Sequence, residues 1–443
     1  MITREVARLF ASAGEYDVAV MGAGPGGIGA AVAAARKGLK TILIEQYGFA
    51  GGAGTLCCVP LYFGEGGLCY QGIQISGGLS DEVVRRLDAK GKVCMTTDSR
   101  TRYPDHTPIK GRELTRHVIS DVDSMRVMYN ELLTEAGVEC LFYSYLVDAV
   151  VEDRRIVGAL VGRIEGPGVV WAKTFIDATG DALLVHYAGG ETREYSDEYN
   201  MHKSLFFYMG NVGPYDREYA EMHYKELFAC EKTPKNVLEI FLHMQSKIPG
   251  VTQIAFGKAS GTPLTSAGMT KMERDLRAQQ MEIADFMRRE MPGFQNAETV
   301  FTSIRVGVRF GRGIVGVETL TPELLEQDSL PENRVALIAR SYGTSHSNKT
   351  KFADDWARHQ DGLSGIPHGT LISRSFSNVL ACGRAISSHP ALSATFRLMP
   401  TCIQTGEAAG LLAALAIRGG CTPVGVEYAS LRREMDHCRF ILD

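Results

Sequence analysis

The chain has 443 residues, 45% hydrophobic and 22% charged, which is room for two or three lobes around more than one core. A net charge of -4 gives no polyanion-binding signal, so nucleic acid is not an expected partner. The longest apolar runs, such as GLLAALAI at 410–417, are too short to cross a bilayer, and the ten cysteines form no C-x-x-C pair. The expectation is a cytoplasmic protein with reduced cysteines, no membrane segment and no metal site. The first fifteen residues carry early acids and no long apolar stretch, so no signal peptide is expected.

In chain order, residues 5–12 read as a short amphipathic helix leading into an apolar first strand, YDVAVMG at 16–22. Gly22, Gly24 and Gly27 then form G-x-G-x-x-G. A helix of small residues follows, stopped by Gly38, and a second strand ends on Glu45. Residues 56–111 are glycine-interrupted, with a helix expected over SGGLSDEVVRRLDAKG. A helix ending at Gly137, a strand, and two alternating strands around EDRR come next, and Phe175, Ile176 and Asp177 lie on a strand returning to the first sheet. Residues 192–365 carry aromatic strands and amphipathic helices. From 366 onward, strand, loop and long helix close the first lobe.

The expected fold is therefore α/β. A Rossmann-like domain with a parallel sheet is formed by 1–65, 112–191 and 366–443. A mixed α+β substrate or cap domain spans 192–365, and 66–111 is a smaller insertion.

The glycine pattern has a chemical reason. Gly22 permits a tight turn, Gly24 lets backbone come against a pyrophosphate, and Gly27 lets helix and strand pack closely. The helix N-terminus offers free N–H groups to phosphates, and Glu45 can accept from ribose hydroxyls, which disfavours a 2′-phosphate. These features fit NAD or FAD. Three further segments favour the flavin: GFAGGAGT with Gly51 and Gly52, FIDATGDA with Thr179, Gly180 and Asp181, and a C-terminal return with Gly383 after a strand and a helix opening at Pro400. Cys57 and Cys58 fall near this site, as a redox dithiol or as buried free cysteines.

The chain resembles the FAD-dependent oxidoreductase family related to glutathione reductase-type flavoproteins. The resemblance rests on DVAVMGAGPGGIGAAVAAARKGLKTILIE, GFAGG, KTFIDATGDALLVHYAGG, RFGRGIVGVETLT, GIPHGTLI and NVLACGRAISSHPALSATFRLMPTCIQTGEAAG. It implies FAD as cofactor and a glutathione reductase-type fold. It also implies that the loop Gly22, Ala23, Gly24, Pro25, Gly26 and Gly27 holds the pyrophosphate, and that Glu45 binds the adenosine ribose, with Gln46 where a basic residue is common. Gly51 and Gly52 would flank pyrophosphate and ribitol, and Val147 would contact adenine through its backbone. Thr179, Gly180 and Asp181 would close over the nucleotide. Gly383 and Arg384 would stand by the ribitol, and Met399, Pro400 and Thr401 would lie under the pyrimidine edge of the flavin. RFGRG at 309–313 departs from the family's Arg-Glu-Ser-Arg-Arg: Arg309 and Arg312 are kept, the Glu, the Ser and the last Arg are not.

On the substrate side, Arg397, Arg309 and Arg312 can grip a carboxylate or oxyanion, and His389 and His368 can exchange a proton near neutral pH. His346 in TSHSNKT belongs to a loop that could cap the pocket. The resulting expectation is a flavoenzyme moving a hydride between a small organic substrate and tightly bound FAD, with oxygen or an electron carrier as acceptor. A flavin monooxygenase and a flavin-containing RNA-modifying or scaffold protein are the alternatives. A homo-oligomer is left open.

Overall fold

The computed structural model describes residues 9–59, 61–62, 69–70, 73–97, 115–119, 121–195, 202–215, 234, 243–245, 248–255, 257–327, 330–339, 363–392 and 396–435. The central strand Ala11–Met21 pairs in parallel with Thr41–Ile44 on one side and Gly168–Asp177 on the other. Val18 and Val20 point to one face and Ala19 and Met21 to the other, and all four are buried. A strand covered on both faces needs this unbroken apolar run.

Glu139–Leu141 extends the sheet beyond Thr41–Ile44, also in parallel. The strand Gly168–Asp177 is shared. Its first half pairs antiparallel with Arg155–Gly162, and its last three residues pair in parallel with Val379–Ala381. Five parallel strands thus end on one edge, and the glycine turns at Gly22, Gly180 and Gly383 emerge there. Segments far apart in the sequence meet because each follows the carboxyl end of a strand in the same sheet.

The hairpin joining Tyr145–Glu152 to Arg155–Gly162 turns on Asp153 (φ 44°) and Arg154 (φ 59°). Two successive positive φ angles match the twist of the flanking strands. The Arg154 guanidinium donates to the carbonyls of Arg374 and Ser375, at 3.0 and 3.3 Å, which holds this unfavourable conformation in place.

The helix Pro25–Arg36 lies against the helix Met399–Arg418 at backbone contact. A Cβ on Gly406 would stand 1.9 Å from the Gly26 carbonyl oxygen, and one on Gly410 would stand 2.3 Å from that of Ala30. Below, the helices Leu79–Ala89 and Val122–Glu135 complete this face with Val83, Leu87, Met125, Met128 and Leu132.

A separate antiparallel sheet is ordered His243–Gln245, Thr252–Ile254, Phe207–Gly210 and Glu298–Thr302. The 25-residue helix Ser266–Glu290 covers it, burying Phe207, Met209, Ile283, Phe286 and Met287. Thr265 caps this helix by accepting from the Gly268 N–H at 3.1 Å.

Three placements differ from the sequence reading. The helix expected over 5–12 gives way, in its described part, to extended chain, because Ala11 and Ser12 pair with Gly168 and Val169. Leu320, Leu325 and Val335–Ile338 fall in the stretch read as a second lobe, yet they share the core of the two packed helices. The helix Leu79–Ala89, read within an insertion, also joins that core: its Leu79 N–H donates to Glu407 at 3.2 Å. His346 lies outside the described residues. Among the described residues no helix is long and apolar enough to cross a membrane.

Candidate active site

A cavity of about 510 Å³ opens at the carboxyl edge of the parallel strands. One wall is main chain. Gly22 sits at φ +101°, and a Cβ there would stand 2.6 Å from the carbonyl oxygen of Ala178. A Cβ on Gly27 would stand 1.8 Å from the Gly22 carbonyl oxygen, so this glycine sets the helix against the strand. Gly24 is different: a Cβ would meet no described atom within 4 Å and would project into open space on the cavity wall. The helix that follows has no side-chain cap, and Gly24, Pro25 and Gly26 line the cavity at its first turn.

The GFAGG segment passes directly over this turn. The Gly51 N–H donates to the Ala23 carbonyl at 2.8 Å, and a Cβ on Gly52 would lie 2.7 Å from Gly24 Cα. Glu45 anchors the same corner by accepting from the N–H groups of Ala23 (2.8 Å) and Tyr47 (3.0 Å). Burial pushes its carboxyl upward, against those hydrogen bonds and the positive charge of Arg305. Glu45, Gln46 and Gly52 line the cavity, whereas Ala23 and Gly51 stand behind it.

The turn after Asp177 forms the next wall. Asp177 is buried and accepts from Thr179 Oγ1 at 2.7 Å and from the N–H groups of Leu184 and Val185 at 2.9 and 3.2 Å, which fixes the turn and the short helix behind it. Arg384 bolts this turn to the chain at Val308. It donates to the Gly180 carbonyl (2.7 Å), the Val308 carbonyl (2.7 Å) and Asp181 (2.8 Å). Asp181 Oδ1 is buried and finds no partner among the described residues. A Cβ on Gly311 would stand 2.5 Å from it, so only glycine fits at that position. Thr179, Gly180, Gly383 and Arg384 line the cavity, and Asp181 lies just outside it.

The remaining wall is made of side chains. The closing helix starts at Met399 with Pro400 in its first turn and no side-chain cap. Arg397, Met399 and Cys402 line the cavity, while Pro400 and Thr401 are buried away from it. Arg309 does not line the cavity; it donates to the His202 carbonyl and to Ser204 Oγ (3.0 Å). Burial, and after it the charge of Arg397, pushes Arg309 down to about 9.

The other candidates fall elsewhere. Arg312 is bound to Glu194 across paired strands, at 2.7 Å. His389 sits beside Leu320, to whose carbonyl its N–H donates at 2.7 Å, and His368 packs against the Tyr428 ring at 5.5 Å; neither lines the cavity. The cavity meets the Val147 strand at its start, at Ser144, Tyr145 and Leu146, and Val147 itself is 42% exposed. Cys57 lines the wall and Cys58 is buried beside it at φ 52°. Burial raises both thiols, Cys58 to about 12, so both stay protonated.

Sequence reasoning missed Arg305, Tyr145 and Tyr187, all on the cavity wall. Arg305 is partly buried. Its guanidinium is pulled down by burial and pushed up more strongly by Tyr47, Cys57, Asp181 and Glu45. Arg305 lies in a loop with no motif, so only the tertiary arrangement reveals it.

Three arginines and one glutamate line the cavity, which gives it a net positive wall. A glycine cradle left open at Gly24, an uncapped helix start and that charge balance fit a dinucleotide with its pyrophosphate.

The sequence profile described as FAD dependent oxidoreductase matches residues 17–435. Among curated proteins, the mitochondrial dihydrolipoyl dehydrogenase of Schizosaccharomyces pombe is 50% identical over 48 residues, which is 11% of this chain and 9% of that protein. Among solved structures, a geranylgeranyl bacteriochlorophyll reductase-like protein of Thermoplasma acidophilum is similar with a TM-score of 0.51 and 14% identity, over 97% of this chain and 86% of that one. That likeness is one of fold. A flavin-dependent brominase aligns over 96% of this chain and 84% of its own, with a TM-score of 0.45 and 13% identity.

Proposed function

We propose that this chain, which belongs to the FAD dependent oxidoreductase family and is an FAD-using enzyme, transfers a hydride between a small organic substrate and the flavin. Bound FAD supplies an acceptor for a hydride and gathers negative charge along its pyrimidine edge. The backbone wall of Gly22, Gly24, Gly26 and Gly52 would take the pyrophosphate, with Arg305 as its cation. Glu45 would hold the adenosine ribose, and Tyr145 and Tyr187 would border the adenine. The turn at Thr179 and Gly180, fastened by Arg384, would close over the chain between the two rings. This division follows the glutathione reductase-type plan, with the discontinuous first lobe binding the cofactor and the second covering the substrate.

The residues at the opposite wall would do the rest. The uncapped start of the closing helix presents partial positive charge, and Arg397 adds a full one two residues earlier. Together they would steady negative charge that develops during transfer and orient the substrate. Oxygen or an electron carrier would then take the electrons away. The observation carrying this reading is that four strand ends and the closing helix converge on one cavity.

The test is direct. The purified protein should be yellow, and an anaerobic screen of alcohols, amines and acids should find compounds that bleach it. Arg397→Ala should keep the colour and lose the bleaching. A screen in which only NAD(P)H consumption responds to added compounds would point to the monooxygenase instead. A yellow Arg397→Ala protein that bleaches as fast as the parent would remove Arg397 from the mechanism.

A further inference from the structure

We propose that Glu273, on the helix Ser266–Glu290, is a positioning residue for the cofactor phosphates: it holds the loop 303–307 so that Arg305 is presented to the dinucleotide. This rests on the reading of the cavity as a flavin site and adds to it what keeps that arginine in place.

Arg305, Arg384 and Arg397 line the cavity. Arg384 already donates to Gly180, Val308 and Asp181, and Arg397 stands before the closing helix. Arg305 is tied to the glycine wall by main chain. Its N–H and that of Ile304 share the Leu56 carbonyl, at 3.4 and 3.0 Å, and the Leu56 N–H donates to the Gly52 carbonyl at 2.7 Å. Gly52 in turn lies on Gly24, and Gly24, Gly52, Leu56 and Arg305 all line the same cavity.

An arginine on a loop binds an anion well only if the loop is ordered beforehand, since ordering it during binding costs affinity. Here every N–H from 303 to 307 has an acceptor. Ser303 donates to the Phe206 carbonyl and Gly307 to that of Ser204, both at 2.8 Å, which ties down the two ends. Ile304 and Arg305 take Leu56. The fifth N–H, of Val306, donates to a side chain, Glu273 Oε1, at 2.8 Å.

The other Glu273 oxygen accepts from Arg277 at 3.0 Å, and Arg277 donates onward to the Ile304 carbonyl at 3.2 Å. One turn of helix thus grips the residues on both sides of Arg305, with an acceptor on Val306 and a donor on Ile304. A surface pair four residues apart contributes little by itself. This one differs because both partners also bond the loop. The Val306 side chain is buried with Leu205, Ala259, Met272 and Leu276, which keeps the loop against the helix.

The experiment titrates the FAD-free full chain with FAD, ADP and adenosine by calorimetry, and repeats the FAD titration at low and high salt. Arg305→Gln should weaken FAD and ADP about 10- to 100-fold, spare adenosine and flatten the salt dependence. Glu273→Ala, which keeps a strong helix former, should weaken FAD and ADP about 5- to 20-fold and also spare adenosine. Glu273→Gln retains a carbonyl oxygen for the Val306 N–H and should recover most of that loss. In the Arg305→Gln background, Glu273→Ala should add less than about twofold, because no guanidinium is left to position.

Unchanged FAD binding by Glu273→Ala, equal losses for ADP and adenosine, or losses that multiply in the double variant would each overturn the proposal. If Glu273→Ala does not fold, Arg277→Gln decides: about two- to fivefold weaker ADP with adenosine spared supports it, and unchanged ADP overturns it. The two readings fail separately. A folded parent that takes up no FAD ends the flavin reading and this one with it. A parent that binds FAD no better than Glu273→Ala ends this one alone.

Discussion

At the glycine end of the cavity the wall is main chain. The Gly51 N–H meets Ala23, Gly52 lies on Gly24, and Gly27 fits against Gly22, with clearances that exclude even a methyl group. At the opposite end the wall is guanidinium and sulfur, carried by Arg397 just before the closing helix and by Met399 and Cys402 within it, with the aromatic pair Phe310 and Phe396 buried next in sequence to Arg309 and Arg397. The first kind of wall depends on backbone geometry and, except at Gly24, leaves no room for a side chain. The second is defined by which side chains are present. A cofactor common to many enzymes fits the first, and a substrate particular to one enzyme fits the second.

The comparison can be broken most forcefully at Gly27. Gly27→Val should abolish FAD retention through gel filtration and lower the yield of folded protein, because the clash at 1.8 Å is with backbone that cannot yield. Full retention of FAD would show that the glycine wall is more pliable than its contacts imply.

Arg384 joins the two walls. Arg384→Met removes three hydrogen bonds and leaves Asp181 buried with an uncompensated charge, a loss of about 3 kcal/mol or more by denaturant titration. A loss under about 1 kcal/mol would mean that the turn at Gly180 is held mainly by Asp177.

Glu45→Gln sharpens the contrast at a single group. One amide N–H must then face a backbone N–H, at Ala23 or at Tyr47, and the ribose loses a charged acceptor. FAD binding, followed by fluorescence, should weaken about tenfold, and Tm should fall modestly because a buried donor is left unpaired.

The smallest effect lies away from both walls. Burial lowers His368 and His389 below the ordinary 6.5, and Arg193 adds to this at His389. Between the lowered values and 6.5 the unfolded chain binds more protons than the folded one. These two groups therefore cost stability as pH falls through that window and cost nothing above it. The parent should lose more Tm than the double variant His368→Gln/His389→Gln as pH drops below about 6.5. Proton NMR of the rings would check the two values individually.

What was legible in the sequence follows the same division. Gly22, Gly24, Gly27, Gly52, Gly180 and Gly383 are readable because each meets a backbone requirement that few residue types satisfy, and because each follows an apolar strand. Glu45 is readable by its distance from them. The second wall was legible only in part. Arg397 could be found from its place before Pro400, but Arg312 and the two histidines had suitable chemistry and no access to the cavity. Arg305 has no local signature, while Tyr187 lies within the quoted stretch KTFIDATGDALLVHYAGG and carries no residue-level cue of its own. The N-terminal stretch shows the converse: a helical pattern of a few residues yields to an available sheet edge at Gly168.

The glycine contacts between the two long helices also bear on how the chain comes to be folded. Arg418 donates to the Lys37 carbonyl across 381 residues of sequence, so the earliest helix waits for nearly the last. At about 5–20 residues per second of synthesis, its apolar face stays uncovered on the ribosome for something on the order of 20–80 s. Such remote pairing also slows refolding from denaturant, so the folding chain is most exposed to aggregation before the closing helix docks.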